Sequence, residues 1–457
     1  MGVSPDTPLD QITSLTAAGR VDLELLDQNL ALAGDRLVVD ADDDQAELFG
    51  DPLDPDRWAT ATQTDDRGPS TLAGPQLVFR QADRSARVPG PGTLTTPLPT
   101  DQSPDRQIAK SPSQLAVAWQ RGMAFFDTAG QAHFIGNVTA TTQQPNATSQ
   151  LTADDLRLNF TPYTDEHTAI DPNTPQANRE PSDRLGPQPP NRDIAKSPNQ
   201  QRQLLTASAT SPAGDTPPAF TYAARDPDTD QLLTRLTLQG DALNLDNTNA
   251  DQPTLTVPSP GRLLLEDYRP NAASEPREDA GPTDPLAAFS GRGATLILFN
   301  DTLLLTAGPN TLDANGNVQL VHQPADSKDP NRATQLDTQR LVVDLADRAD
   351  LGPMFTNSAA DQSPNREIAK SPNVEVDQID AHGAVRIVDG TRRVNTDHLR
   401  YTARDNTAWL WADPGRSTRV TDDRYPAGLS GQSIYWDLSR DRLELRRPGP
   451  GLLPIPE

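Results

Sequence analysis

The chain is 457 residues long, sets 40 Lys and Arg against 64 Asp and Glu for a formal net charge of −24, and contains no cysteine. A charge of that sign argues against a phosphate backbone as partner and against adhesion to anionic membrane, and the missing thiols exclude disulfides, thiolate metal sites and a cysteine nucleophile. Apolar residues make up 34% of the chain and prolines number 44, which fits a modest β core carrying long solvated loops, because the apolar residues are patterned and clustered.

The opening, MGVSPDTPLDQITSLTAAG, has neither the basic segment nor the apolar core of an export signal. No run anywhere approaches the roughly 18 apolar residues of a membrane-crossing helix. The chain then enters Val21, Leu23 and Leu25, which alternate with polar residues as a strand with one buried face does. An export signal or anchor is therefore expected in a preceding segment. Two β repeats are expected over 14–96, closed by the breaker VPGPG, then a Pro-rich loop at 97–116 and a β repeat at 117–162. A second Pro-rich loop covers 163–203, a repeat 204–267 and a polar loop 268–290. The strongest strand signal, ATLILFNDTLLLTAG, opens a repeat at 291–351; a Pro-rich loop at 352–376 leads to the C-terminal repeats at 377–448. Three of these loops carry nearly one peptide, DQSPDRQIAKSPS, PPNRDIAKSPN and DQSPNREIAKSPN, holding Lys110, Lys196 and Lys370. They read as tolerated passenger insertions, with a docking peptide as the second reading.

A nine-residue phrase recurs along this array: LAGDRLVVD from Leu32, LAGPQLVFR from Leu72, LTADDLRLN from Leu151, LQGDALNLD from Leu238, LDTQRLVVD from Leu336, VNTDHLRYT from Val394 and LSGQSIYWD from Leu429. Recurrence on this scale predicts a repeat architecture whose units stack to cover their apolar faces. The apolar positions are first, sixth and eighth, so their parity changes within the phrase. A bulge or corner near the small third residue is expected to restore a common buried face. Between strands, Asp389-Gly390, Asp405-Asn406 and Asp413-Pro414-Gly415 are turn formers, since Gly and Asn tolerate positive φ.

The search for chemistry is mostly negative. His133, His167, His322, His382 and His398 show no metal-ligand spacing, and the HExxH, Walker and GxSxG patterns are absent. DPDTDQ from Asp226 begins like a calcium loop but lacks its central Gly. Catalytic residues, metal and cofactor are all expected to be none, and the protein is expected not to be an enzyme. Trp409, Trp411, Tyr435 and Trp436 crowd the last unit, either as packing of a terminal cap or as an apolar surface for a lipid chain or a partner's edge.

The run VNTDHLRYTARDNTAWLWADPGRSTRVTDD with LSGQSIYWDLSRDRLEL, and the upstream strands GRVDLEL, GNVTATT and GNVQLVH, resemble the repeat of the OstA/LptA-like family, envelope proteins of lipopolysaccharide transport. The resemblance spans roughly 19–96, 117–160 and 291–446. It implies an all-β, elongated, open β-jellyroll (β-taco-like) of stacked antiparallel repeats with Pro-rich loops. It also implies a periplasmic or cell-envelope location, a part in outer-membrane biogenesis, and a non-enzymatic lipid-binding or lipid-conveying function. The expected partners are lipopolysaccharide or another acylated lipid, and other β-jellyroll proteins by end-to-end strand pairing. The alternative is a structural scaffold or adhesion protein whose core is closed. In the lipid reading, phrase positions six and eight line an apolar trough with neighbouring strand residues. Its N-terminal part would be Leu37, Val39, Leu77, Phe79, Phe134, Leu156, Leu158 and Phe160. Leu243, Leu245, Ile297, Phe299, Leu341 and Val343 would continue it, and Leu399, Tyr401, Ile434 and Trp436 would complete it. Val38 and Arg400 should face outward, and a charge replacing Arg400 should be mild.

Overall fold

The computed structural model describes residues 13–26, 29–65, 68–97, 114–144, 146–161, 204–226, 229–249, 251–269, 292–325, 333–345, 376–423 and 426–446. The three copies of the repeated loop peptide lie outside the described residues. The protein is all-β: among the described residues the longest helical element is the single 3-10 turn Pro55–Arg57. The chain divides into two compact units, Met1–Thr93 with Gly122–His133 and Leu158–Leu204, and Leu94–Arg121 with Phe134–Arg157 and Leu205–Glu457.

In the first unit β1 (Ser14–Leu25), β2 (Leu30–Asp40), β3 (Gln45–Phe49), β4 (Ala59–Asp65), β5 (Gly68–Gly74), β6 (Gln76–Arg80) and β7 (Ser85–Pro89) follow one another. After β8 (Gly92–Pro97) and β9 (Gln114–Trp119), β10 (Gly122–Phe126) returns to pair with β7. The acidic tip between β2 and β3 is a turn built by its own side chains. Asp40 Oδ1 accepts from the amides of Asp42 and Asp43 at 3.0 and 3.2 Å, and Asp44 takes φ 49°. β2 pairs with β1 along its length, while on its other side Leu30–Ala33 pair with β4 and Arg36–Asp40 with β3. One strand therefore belongs to two ladders, and it changes ladder at the third residue of its phrase, Gly34.

The second unit repeats this device. Its chain continues through β11 (Gln131–Gln144), β12 (Ala147–Phe160), β13 (Leu204–Thr210), β14 (Ala219–Arg225), β15 (Leu232–Gly240), β16 (Ala242–Asp246), β17 (Thr254–Val257) and β18 (Gly261–Asp267). Next come β19 (Gly293–Phe299), β20 (Thr302–Thr306), β21 (Thr311–Pro324), β22 (Thr334–Leu345) and β23 (Val376–Asp389). The last elements are β24 (Arg392–Thr402), β25 (Thr407–Trp411), β26 (Thr418–Thr421), β27 (Leu429–Gly431), β28 (Ser433–Asp437) and β29 (Arg442–Arg446). β24 pairs with β23 on one side; on the other, Arg393–Asn395 pair with β26 and His398–Thr402 with β25. The expected turns form, with Gly390, Asn406 and Gly415 at φ 54°, 48° and 87°.

The parity change is visible in burial. In β24 Val394 and Thr396 are buried and then Asp397, Leu399 and Tyr401; in β22 Leu336 and Thr338 are buried and then Leu341 and Val343. The extra residue, however, sits in the neighbouring upstream strand. Gly383 and Ala384 of β23, at φ 81° and 50°, fall where the ladder to β24 shifts register. Gly316 and Asn317 of β21, at φ 82° and 47°, do the same beside β22. Gly and Asn adopt this left-handed conformation at low cost. The third phrase residue is small for another reason, which is close approach: a Cβ on Gly74 or Gly240 would run into the side chain of Val88 or Val257.

Where threonine holds the third position, its hydroxyl bonds a backbone carbonyl at the corner. Thr338 Oγ1 donates to the His382 carbonyl at 2.9 Å, and Thr396 Oγ1 lies 2.7 Å from the Trp411 carbonyl and 2.8 Å from Thr418 Oγ1. Replacing Thr396 by Val keeps the shape but removes the partner of a carbonyl and of a buried hydroxyl. Chemical denaturation should show a loss of about 2 kcal/mol for Thr396→Val and under about 1 kcal/mol for Thr396→Ser. Equal losses would mean that the methyl group, not the hydroxyl, holds the corner.

Candidate functional site

Cross-strand pairing turns the phrase positions into continuous apolar rows. In the second unit one row passes from Leu245 to Leu255, Leu305, Leu312 and Val343. It continues through Ile379, Tyr401, Ala408 and Trp436 to Leu443. Beside it, toward the corners, runs a row through Leu303, Ala314, Leu341, Ala381, Leu399, Leu410 and Ile434. On the other ladder Leu263, Ile297, Leu320, Leu336, Ile387, Val394 and Val420 form a third.

Every phrase position six named above, Leu37, Leu77, Leu156, Leu243, Leu341, Leu399 and Ile434, is buried. Position eight divides along the chain. Val343, Tyr401 and Trp436 are buried, whereas Val39, Phe79, Leu158 and Leu245 are half-buried, as is Phe160. Phe134 packs on Trp119 with ring centroids 5.3 Å apart, and Ile297 and Phe299 are buried on β19. Leu399 and Trp436 have no exposed surface at all, so their side chains are packed by the protein itself. Arg392 closes over the Trp436 ring at 4.6 Å while pairing with Asp422 and Asp441 at 3.2 and 3.0 Å. A lip row in the first unit is more open: Leu15, Val39, Ala46, Phe79, Ala86 and Phe125 are cross-strand neighbours, and all are half-buried or exposed.

Alongside the third row, two residues away on the same strands, runs a polar one through Thr295, His322, Thr334 and Asp389. His322 is 1% exposed, its Nδ1 shares a hydrogen bond with Thr295 Oγ1 at 2.8 Å, and burial holds its pKa down at about 4. Burial likewise holds the pKa of His382 below the ordinary histidine range.

Arg400 faces outward as expected, and Val38 is half-buried. Arg400 is not an isolated surface charge: it pairs with Asp380 through Nε at 2.7 Å and Nη2 at 3.3 Å. Trp409, Trp411 and Tyr435 lie on the outward face while Trp436 is core, because Ala408 and Leu410 take the inward positions of β25. Arg400, Trp409, Trp411, Gln432, Ser433 and Arg446 line an open groove of about 750 Å³ on that face. The terminal-cap reading thus holds for Trp436 alone. Asp226 Oδ1 accepts from the amide and hydroxyl of Thr229 at 2.9 and 3.0 Å, an ordinary side-chain-built turn. Among the described residues no group of three or more His, Cys, Asp or Glu is placed to hold a metal ion.

The structure also joins two histidines that sequence spacing leaves apart. His382 and His398 are cross-strand partners at the corner of β23 and β24. The signal was the Gly383-Ala384 bulge: only its extra residue puts the two opposite each other. No protein-family model matches the chain, and no curated protein matches it.

Proposed function

We propose that the protein is a non-enzymatic lipid-binding or lipid-conveying module of the cell envelope, resembling the bridge proteins of lipopolysaccharide transport. The observation that carries this reading is the set of unbroken apolar rows, together with the half-open lip of the first unit. An acyl chain laid along Val39, Phe79 and Phe125 would gain on the order of 0.8 kcal/mol per buried CH₂, enough to offset association costs of several kcal/mol. The unpaired edges support end-to-end pairing with similar proteins: among the described pairings β1 has only β2, β27 only β26, and β29 only β28. The second reading is a structural scaffold with a closed core, and the fully packed Leu399, Tyr401, Ile434 and Trp436 favour it for the C-terminal strands.

A photo-crosslinking residue placed at Phe79, at outward Arg80 and at packed Tyr401 separates the two. Incubated with an acyl-chain probe, the lipid reading expects labelling at Phe79 and little at Arg80 or Tyr401. No labelling at Phe79, with no lipid extracted from the purified protein, would leave the scaffold reading in place.

A further inference from the structure

We propose that His382 and His398 form a two-histidine site for a divalent transition metal, with Cu(II) the ion it holds most tightly. The two Nδ1 atoms lie 3.1 Å apart across the strand pair, with ring centroids at 5.4 Å. A metal bound to two imidazole nitrogens at about 2.0–2.1 Å, with ligand angles from square to tetrahedral, holds those nitrogens about 2.9–3.4 Å apart. The separation therefore matches the bite of one ion, and a turn of the His382 ring away from its hydrogen bond lets both lone pairs converge on it.

The surroundings orient the ligands as metal-binding histidines are oriented. His398 Nε2 lies 3.0 Å from Asp413 Oδ1, so its N–H donates there and its Nδ1 lone pair points at His382. Trp411 stacks on the His398 ring, 5.1 Å between centroids and 17° between planes, and fixes its rotation. In the metal-free protein His382 donates its Nδ1–H to His398. On binding, that proton moves through solvent to His382 Nε2, both Nδ1 lone pairs face the ion, and each imidazole keeps one N–H. The nearby cations are matched: Arg340 pairs with Asp313 at 2.7 Å and Arg400 with Asp380 at 2.7 Å. Water or a small anion completes the coordination, so the site keeps open positions. Imidazole ligands with open positions suit Cu(II), Ni(II) and Zn(II), and the ordinary order of stability ranks Cu(II) highest.

The test is a titration of the full chain, stripped by chelator, with Cu(II), Ni(II) and Zn(II), read by tryptophan fluorescence and by Cu(II) electron paramagnetic resonance. The expected result is one tightest Cu(II) per chain, with hyperfine coupling to two imidazole nitrogens. Ni(II) and Zn(II) should bind more weakly. His382→Gln and His398→Gln should each weaken Cu(II) by tenfold or more and remove one nitrogen, with circular dichroism confirming the fold. Asp413→Asn should weaken it by about tenfold while both nitrogens remain, as the loss of an orienting partner does. His133→Gln should change nothing. Should His398→Gln prove unstable, the half-buried His382 decides the question by itself. A native chain that binds Cu(II) no more tightly than the His382→Gln/His398→Gln double variant, or a spectrum without paired imidazoles, overturns the proposal.

Discussion

Leu399→Asp is expected to abolish cooperative unfolding of the C-terminal strands, or to cost about 4 kcal/mol or more where a folded state survives. Leu399 has no exposed surface and sits between Ala381 and Leu410 in an apolar row. Removing the leucine forfeits about 2–5 kcal/mol of packing, and an unpaired carboxylate in that setting must be desolvated or protonated. Denaturant titration followed through the buried Trp436 gives the measurement. One residue on, Arg400→Gln should cost about 1 kcal/mol, because the Arg400 side chain is about half exposed while its partner Asp380 is mostly buried and loses a matched charge. Arg400→Asp is not the mild change that exposure suggests. It sets a new carboxylate against Asp380, near Asp344, whose pKa is already held up by burial and by Asp380 and Asp377. A Leu399→Asp protein with native stability would mean that the faces of β24 have been assigned wrongly.

His322 should contribute about 2 kcal/mol of stability loss as the pH drops from about 7.5 to about 5, beside a contribution of the same sign from His382, whose pKa burial also lowers. The pKa of His322 is about 4 in the folded protein against 6.5 for a free histidine. Between those values the unfolded chain binds the proton and the folded protein does not, so acid favours unfolding. The loss sets in as the pH falls through about 6.5 and levels off only below about pH 4. Asp344 works in the opposite direction: its raised pKa means that the folded protein takes up a proton more readily as the pH falls. Comparison with His322→Gln, which can still bond Thr295, cancels that term. The variant should show a pH slope flatter by about 2 kcal/mol over the same range. Identical slopes would place the pH dependence elsewhere.

Much of this architecture could be read from residue order because it rests on period and parity. The sixth phrase residue is buried in every copy, and the change of face within the phrase, inferred from positions one, six and eight, appears in β22 and β24. What could not be read depends on partners distant in the chain. A left-handed pair such as Gly383-Ala384 gains its meaning only when Asp397 lies opposite, so the bulge was expected in the phrase itself. The same register places His382 beside His398, sixteen residues away, which no local spacing could show. Position eight reads alike in Val39 and Val343, yet only Val343 is buried. Their cross-strand partners differ: Val343 lies between the buried Leu312 and Ile379, and Val39 between the exposed Leu15 and the half-buried Ala46.

The strand that belongs to two ladders has a mechanical meaning. Because β24 is covalently continuous from its pairing with β26 to its pairing with β25, the ladders cannot slide past each other without breaking hydrogen bonds on both sides of the corner. The left-handed pairs Gly316-Asn317 and Gly383-Ala384 sit at the same corners, each where its strand shifts register against the next. A corner of this kind ties the register of one ladder to that of the other, and Leu341 and Leu399, close beside it, are held between neighbours on both sides, Ala314 and Ala381 for the first and Ala381 and Leu410 for the second.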